Sequence, residues 1–461
     1  MRTFTYTLLS FLILAGATTA CDSFVSDVEE PIDTVTDGQL NTAEQVPFVI
    51  TGIYRQFALT SDNAGFLTDL LSDASYFDTD LQDATFPSFR EIDVADITTQ
   101  NNSIDAYYND LGELRFFSDN LVNRVQNNVE FSSDQQGLQD RALYVGHFFG
   151  AVARYYYASH IGLNPTEPGG VINSGPFISA SDMYDQALAD LDSASTNNTS
   201  NISGSAAIGT SQDLRSKYIS TFRARIHLFS GEYSDAASAA VNGLAMGDPS
   251  LSAQYATNEN NGYFFASGPG RSQIAYAERF SNYDGATVYS SPSAAQGADR
   301  SNVRVPLYAG AATSDAGGGT PFFIQAKYVT RDAPLEFMTW EENALMLAEL
   351  AAVHGQDISG NPFGTTDPLE LINMVRTQYT DVDALPSGTT VDQDLILQER
   401  DIEFFAEVGF RLVDMRRTGQ TFIRQQYDAS AGEEVNTGEV PGPWRVLPIT
   451  DNERNQNPNF N

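Results

Sequence analysis

Apolar positions recur at helical spacing along most of the chain. Residues 45–58 (QVPFVITGIYRQFA) predict a first helix, and 104–125 a second with Tyr108, Leu111, Leu114, Phe117 and Leu121 on one stripe. A third, 136–157, aligns Leu138, Leu143, Phe148, Val152 and Tyr155. A fourth, 183–194, follows Ser181-Asp182, residue types that cap helix N-termini. A fifth, 213–229, stops before Gly231, the residue type that most readily takes the left-handed conformation ending a helix. Tyr233, Ala236 and Ala240 then open a sixth that runs to Leu244. Gly-x-Tyr-x-x-Ala across such a hairpin is a tetratricopeptide-like feature, in which small alanines let two helices approach. Helical spacing resumes at Phe337, with Trp340, Ala344, Leu347, Ala348 and Ala351 on one face, and continues through 368–378 and a long element, 391–418.

Two stretches break the pattern. Residues 195–211 (STNNTSNISGSAAIGTS) are a polar low-complexity loop, and 247–334 are rich in Gly, Ser, Asn and aromatics, including Gly317-Gly318-Gly319. A loop region that long is usually functional, and its aromatics argue for order. The predicted architecture is all-α: tetratricopeptide-like helical pairs form a scaffold for a long loop-rich, ligand-binding half. Residues 46–461 make one domain, with scaffold at 46–246 and 335–461 and a loop-rich insert at 247–334.

The N-terminus predicts export. Arg2 precedes an apolar run, 8–14, too short to span a bilayer, and small residues 16–20 precede Cys21. Residues 1–20 read as a signal peptide, Cys21 as a lipidation site, and acidic residues 21–45 as a tether. Ordinary cleavage with a spare cysteine is the alternative. Cys21 is the only cysteine, so no disulfide staples the chain. The 25 basic and 60 acidic residues give a net charge of −35, which repels nucleic acid.

Four C-terminal segments carry a more specific pattern: MTWEENALMLAELAAVHG (338–355), LINMVRTQY (371–379), ILQERDIEFFAEVGFRLVDMRRTG (396–419) and WRVLPITDNERNQNPNFN (444–461). Their order and spacing resemble the SusD/RagB family, the surface lipoproteins of Bacteroidetes nutrient-uptake systems, with Thr450 where the family usually has proline. Upstream, Gly52-Ile53-Tyr54, the 141–162 stretch and 183–194 are similar to family elements, so the resemblance covers nearly all of the mature chain. It implies no catalysis. It implies an outer-membrane, lipid-anchored protein facing outward, with a SusC-like TonB-dependent barrel as partner and an oligosaccharide or peptide as ligand.

The residues have their own physical reading. Glu399, Glu403, Glu407 and Arg411 fall four apart, in one row of a continuous helix. Carboxylates so placed need cations, and Arg376, Arg400, Arg411, Arg416 and Arg417 are candidates; with Asp414 they read as a structural ion-pair network. His147, His160, His227 and His354 are scattered, and no HExxH, GxSxG, P-loop or Cys/His metal spacing occurs. Asp78-x-Asp80-x-x-Asp83 lacks the Gly and terminal Glu of a calcium loop and reads as a solvated acidic loop. No cofactor or metal site is implied, and a structural cation stays open.

A sugar-binding surface needs aromatic faces flanked by polar groups on loops held by a rigid frame. Two clusters qualify: Tyr76, Phe77, Phe86 and Phe89 beside Arg90, and Tyr263, Phe264, Phe265, Tyr276, Tyr283, Tyr289 and Tyr308. In the resembling family the ligand site lies in these two general regions. The alternatives are a surface glycan hydrolase and a scaffold that binds no ligand. The self-repelling acidic surface suits a salt-rich medium, since salt shortens the reach of repulsion from about 10 Å at 0.1 M to about 3 Å at 1 M. Molar NaCl is therefore expected to raise the melting temperature over that at low salt; a melting point indifferent to salt would count against this.

Overall fold

Local chemistry sets most of the helix ends. In the computed structural model, which describes residues 37–258, 260–310, 322–407, 409–428 and 433–460, helix α1 spans Val46–Leu71 with a proline in its first turn. Asn101 starts α2 (Asn102–Asn127) by accepting from the amides of Ser103 and Ile104. Helices α3 (Gln136–His160) and α4 (Ala180–Asn197) follow, the latter capped by Ser179. Helix α5 (Gln212–Ser230) ends at Gly231, whose φ of 82° is the left-handed conformation expected there. Helix α6 (Tyr233–Ala240) completes the hairpin. The C-terminal unit comprises α7 (Trp340–Ala352), α8 (Pro368–Thr377), α9 (Gln393–Glu403) and α10 (Phe410–Thr418). The signal segment and Cys21 lie outside the described residues. The expected tether already engages the body before residue 45: Asn41 accepts from Arg124 at 2.8 Å and Ala43 is buried.

Helix α1 runs well past the expected Ala58 because its polar second half is satisfied indoors. Thr60 donates to the Gln56 carbonyl at 2.8 Å, Asn63 to Asp110 at 2.9 Å, and Ser61 accepts from Tyr156 at 3.1 Å. The predicted 391–418 helix is instead two. The chain turns between α9 and α10, with Ala406 at φ 53° and Gly409 at φ 78°. A Cβ on Gly409 would overlap the Thr68 hydroxyl and lie 3.2 Å from the His160 ring, so the turn seats closely against α1 and α3. Glu407 lies in this turn, off both helices, and the single row of Glu399, Glu403, Glu407 and Arg411 does not exist.

The insert is loop-rich as expected, yet it carries strands. With β1 (Ser75–Tyr76) it forms a five-stranded sheet from β2 (Ala275–Tyr276), β3 (Ala286–Tyr289), β4 (Val305–Gly310) and β5 (Phe322–Gln325). The order is β1-β2-β5-β4-β3, with β3 parallel to β4 and the other pairs antiparallel. Tyr76, Leu81, Tyr308, Phe322 and Ile324 make a small second core here. The C-terminal tail closes the body: Leu447–Pro448 pairs in parallel with Ile161–Asn164, and buried Asn457 donates to the Gly175 carbonyl at 2.8 Å.

The insert also supplies the cations that the C-terminal carboxylates need. Arg304 pairs with Glu399 at 2.8 Å and Glu403 at 2.7 Å. Lys327 pairs with Glu407, and Arg279 bridges Asp401 at 2.9 Å and Asp73 at 3.1 Å. Of the cations anticipated from sequence, Arg376 meets Glu399 at 2.7 Å and Arg400 meets Asp414 at 2.7 Å. Arg411 reaches back to Asp73 through two bonds of 2.7 and 2.8 Å, and Arg417 takes Glu349 and Asp414. Arg416 joins no carboxylate among the described residues.

Two buried polar anchors join the halves. Arg225 on α5 donates to Glu342 at 2.5 and 2.6 Å and to the Phe337 carbonyl, with the rings of Phe337 and Phe410 at 4.6 and 4.7 Å from its guanidinium. Asp69 on α1 accepts the hydroxyls of Tyr263 at 3.0 Å and Tyr276 at 3.2 Å. Burial pushes the Asp69 carboxyl up to about 8, despite those two donors.

Arg225→Ala is expected to cost about 3–5 kcal/mol in chemical denaturation, because it strands a buried Glu342. Arg225→Met with Glu342→Leu should recover much of that; a double variant as weak as the single would refute the account. Asp69 keeps in the native state a proton that the unfolded chain sheds near pH 4. Its stabilisation is complete below the unfolded value and is lost as pH rises from about 4 to about 8. Asp69→Asn should therefore remove about one proton's worth of downward slope from stability measured between pH 5 and 8.5, and an unchanged slope would show that Asp69 is ionised in the fold.

Candidate functional site

The two aromatic clusters, far apart in sequence, meet at one surface. Buried Gln273 stitches them: its Oε1 accepts the Thr85 amide at 2.8 Å and its Nε2 donates to the Asp83 carbonyl at 2.5 Å. Arg271 donates to Thr85 Oγ1 at 2.5 Å, and its guanidinium lies over the Phe86 ring, 5.0 Å from the centroid. Phe86 occupies the N-cap position of a short helix, Pro87–Asp93, without a side-chain capping bond, and the proline lies in the first turn. Across the junction, Asn261 caps the short helix Gly262–Ala266 by accepting from the Tyr263 and Phe264 amides. Asn261 is itself held to the Arg331 and Ala333 backbone at 2.8 and 2.9 Å. Phe264 lies beneath Arg331, at 6.0 Å, and Phe265 projects with 41% of its surface exposed.

The junction therefore presents aromatic rings beside guanidinium groups on short, capped segments. Rings supply faces for the C–H side of a sugar, and guanidinium groups supply donors for hydroxyl or anionic oxygens. Arg90 is exposed and shares a cleft of about 70 Å³ with Phe77, Asp78, Thr79, Arg424 and Gln426. Asp78 is buried and accepts the Asp80 amide at 2.9 Å, so this loop is not freely solvated.

Six of the eleven aromatic candidates are buried instead: Phe77, in the main core, and five more. Tyr76 and Tyr308 belong to the second core, and Phe89 packs on Phe66 and Phe86 at 5.8 and 5.4 Å. Tyr263 and Tyr276 are fully buried against Asp69. These five rings offer no ligand face, because each fills core volume, and the hydroxyls of Tyr263, Tyr276 and Tyr308 bond indoors. Tyr283 is half-buried, its hydroxyl on Asp401 at 3.2 Å, and Tyr289 is half-buried on the edge strand β3. Phe86, Phe264, Phe265, Arg90 and Arg271 remain as the surface group, with Arg331 added by the structure.

Two larger concavities escaped the sequence reading. One of about 400 Å³ lies between insert and C-terminal unit, lined by Arg300, Lys327, Glu341, Tyr379, Glu403 and Glu407. Burial raises the Glu341 carboxyl to about 7 there. The other, about 570 Å³, opens between α4, α5 and the end of α10, with Tyr184, Phe229, Arg416, Arg417, Phe422 and Arg445 in its wall. His160 is buried on Tyr107 at 3.0 Å, its pKa lowered by burial to about 3, so it stays neutral. Among the described residues, His227, Glu232 and Asp235 bring ligand atoms within 4.8 Å of one another, but His227 already bonds Glu232 at 2.6 Å on an open surface.

No family model and no curated protein matches this sequence. Solved structures do. A SusD superfamily protein from Bacteroides thetaiotaomicron superposes with a TM-score of 0.66 at 16% identity, covering 91% of this chain and 98% of that one. A SusD-like carbohydrate binding protein from Bacteroides vulgatus gives 0.62 at 12% identity, covering 91% and 97%. A laminarin binding SusD-like protein gives 0.61 at 14% identity, covering 90% and 98%. Helical pairs, inserted sheet and closing tail together give this chain the SusD-superfamily fold.

Proposed function

We propose that the chain is a SusD/RagB-type binding protein that captures an oligosaccharide and hands it to a TonB-dependent outer-membrane barrel. On this reading it is anchored through lipidated Cys21, faces the cell exterior and does no chemistry on its cargo. The observation that carries the binding reading is the junction of Phe86, Phe264 and Phe265 with Arg271 and Arg331, held by Gln273 and Asn261. Rigid segments lower the ordering cost of grasping a flexible chain. Two proteins of the same fold are described as binding carbohydrate or laminarin, which supports a glycan over a peptide. Cys21 and the acidic leader support the anchor and the surface location.

Titration calorimetry against a panel of soluble glycans tests the reading. Phe265→Ala and Phe86→Ala are each expected to weaken the bound glycan about tenfold, about 1.4 kcal/mol, without releasing reducing ends from it. Phe265 is exposed, so its loss should leave the melting temperature unchanged. Gentle detergent extraction of the full-length protein should bring a large barrel with it. Binding that ignores both substitutions, or extraction as a lone protein, would sink the site or the partnership respectively.

A further inference from the structure

Most of the deeply placed arginines of this acidic chain meet a carboxylate, and Arg416 does not. Arg225, Arg304, Arg376, Arg400, Arg411 and Arg417 are all ion-paired. Arg416 donates only to two backbone carbonyls, Ser159 at 2.6 Å and Arg445 at 3.3 Å. Two of its five N–H donors are thus used, leaving three. Burial lowers its proton affinity below that of an ordinary guanidinium. Arg215 also lacks a carboxylate, but it donates to Asn198, Gly209 and Thr199 and does not line the cavity.

Arg416 stands in the wall of the 570 Å³ cavity, and its neighbours complete a recognisable chemistry. Arg445 is on the same wall, over the Phe422 ring at 4.7 Å; it donates to the Gly442 and Trp444 carbonyls at 2.9 and 2.8 Å and pairs with exposed Glu439, also in the lining, at 3.3 Å. Arg417 is already neutralised by Glu349 and Asp414. Gln420 is also in the lining, and its side-chain oxygen is buried and without a hydrogen-bond partner among the described residues. Phe229, Phe422 and Val413 supply apolar surface. The cavity therefore presents cationic donors, an acceptor awaiting a donor, and ring-sized apolar walls, in a chain of net charge −35.

From this we infer that the cavity is a second ligand site, distinct from the loop junction, for an acidic sugar: its carboxylate or sulfate ester docks on Arg416 and Arg445, and a hydroxyl donates to Gln420. A guanidinium fork matches either oxyanion, and a hydroxyl-bearing body uses the orphan acceptor that an inorganic anion cannot. Selection is then for one charged sugar unit, whereas the loop junction grips an extended chain.

Calorimetry on the full-length protein with glucuronate, glucose 6-sulfate, glucose and inorganic sulfate tests this. At least one of the two acidic sugars should bind ten or more times tighter than glucose and than inorganic sulfate, and more weakly in molar NaCl. Which of them binds identifies the oxyanion. Arg416→Gln and Gln420→Leu should each weaken it about tenfold, and Arg445→Gln, nearer the rim, a few-fold. Phe265→Ala should leave it untouched. Equal binding of glucose, no binding by either acidic sugar, inorganic sulfate binding as tightly, or acid binding lost in Phe265→Ala would overturn the site. If Arg416→Gln does not fold, Gln420→Leu and Arg445→Gln decide; wild-type binding in both would overturn it equally.

Discussion

Buried carboxylates on α9 and the turn after it need cations, and the insert provides them. Glu399, Glu403, Asp401 and Glu407 lie inside the protein, where an unpaired charge would cost several kcal/mol. Arg304, Arg279 and Lys327 reach them from the insert, across 80 to 122 residues of chain. Insert and C-terminal helices are thus one electrostatic unit: neither is complete without the other. This matters in a chain whose single cysteine excludes an internal disulfide. Ion pairs and the Asp69–tyrosine anchor hold the long insert without a covalent staple.

Periodicity revealed the scaffold because helices pack by one face, and local caps such as Gly231 marked their ends. It failed where polar residues were buried. The predicted first helix stops at Ala58, since Thr60, Ser61 and Asn63 look solvent-seeking until their distant partners, Asp110 and Tyr156, are known. It failed again at 404–409, where apolar spacing carries across a turn; Gly409, between Val408 and Phe410, was the available signal. The ion-pair residues were legible as a group, but their partners were not. Helical spacing offers neighbours three or four positions away, and here the decisive partners sit in another part of the chain.

The aromatic candidates divided for a related reason. A tyrosine offers a ring to a core and a hydroxyl to any nearby acceptor, so its presence in a loop-rich segment does not say which way it faces. Tyr263 and Tyr276 turned inward because Asp69 awaited them on α1, a residue the sequence gives no reason to connect with them. Phe265 stayed outside because Asn261 ends the preceding loop and begins a short helix beside it. What the two clusters share is Gln273, which carries no aromatic ring and bonds the 83–85 backbone.

The placing of Arg279, Arg304 and Lys327 divides the insert into fixed points and free spans. Between Arg279 and Arg304 the first stretch is tied as well, by Tyr283 to Asp401 at 3.2 Å and by Asp284 to Arg376 at 2.8 Å, and the freer span is the mostly exposed 290–303. A substitution in that span carries no burden of holding the insert in place, whereas loss of any of the three cations leaves a buried carboxylate behind.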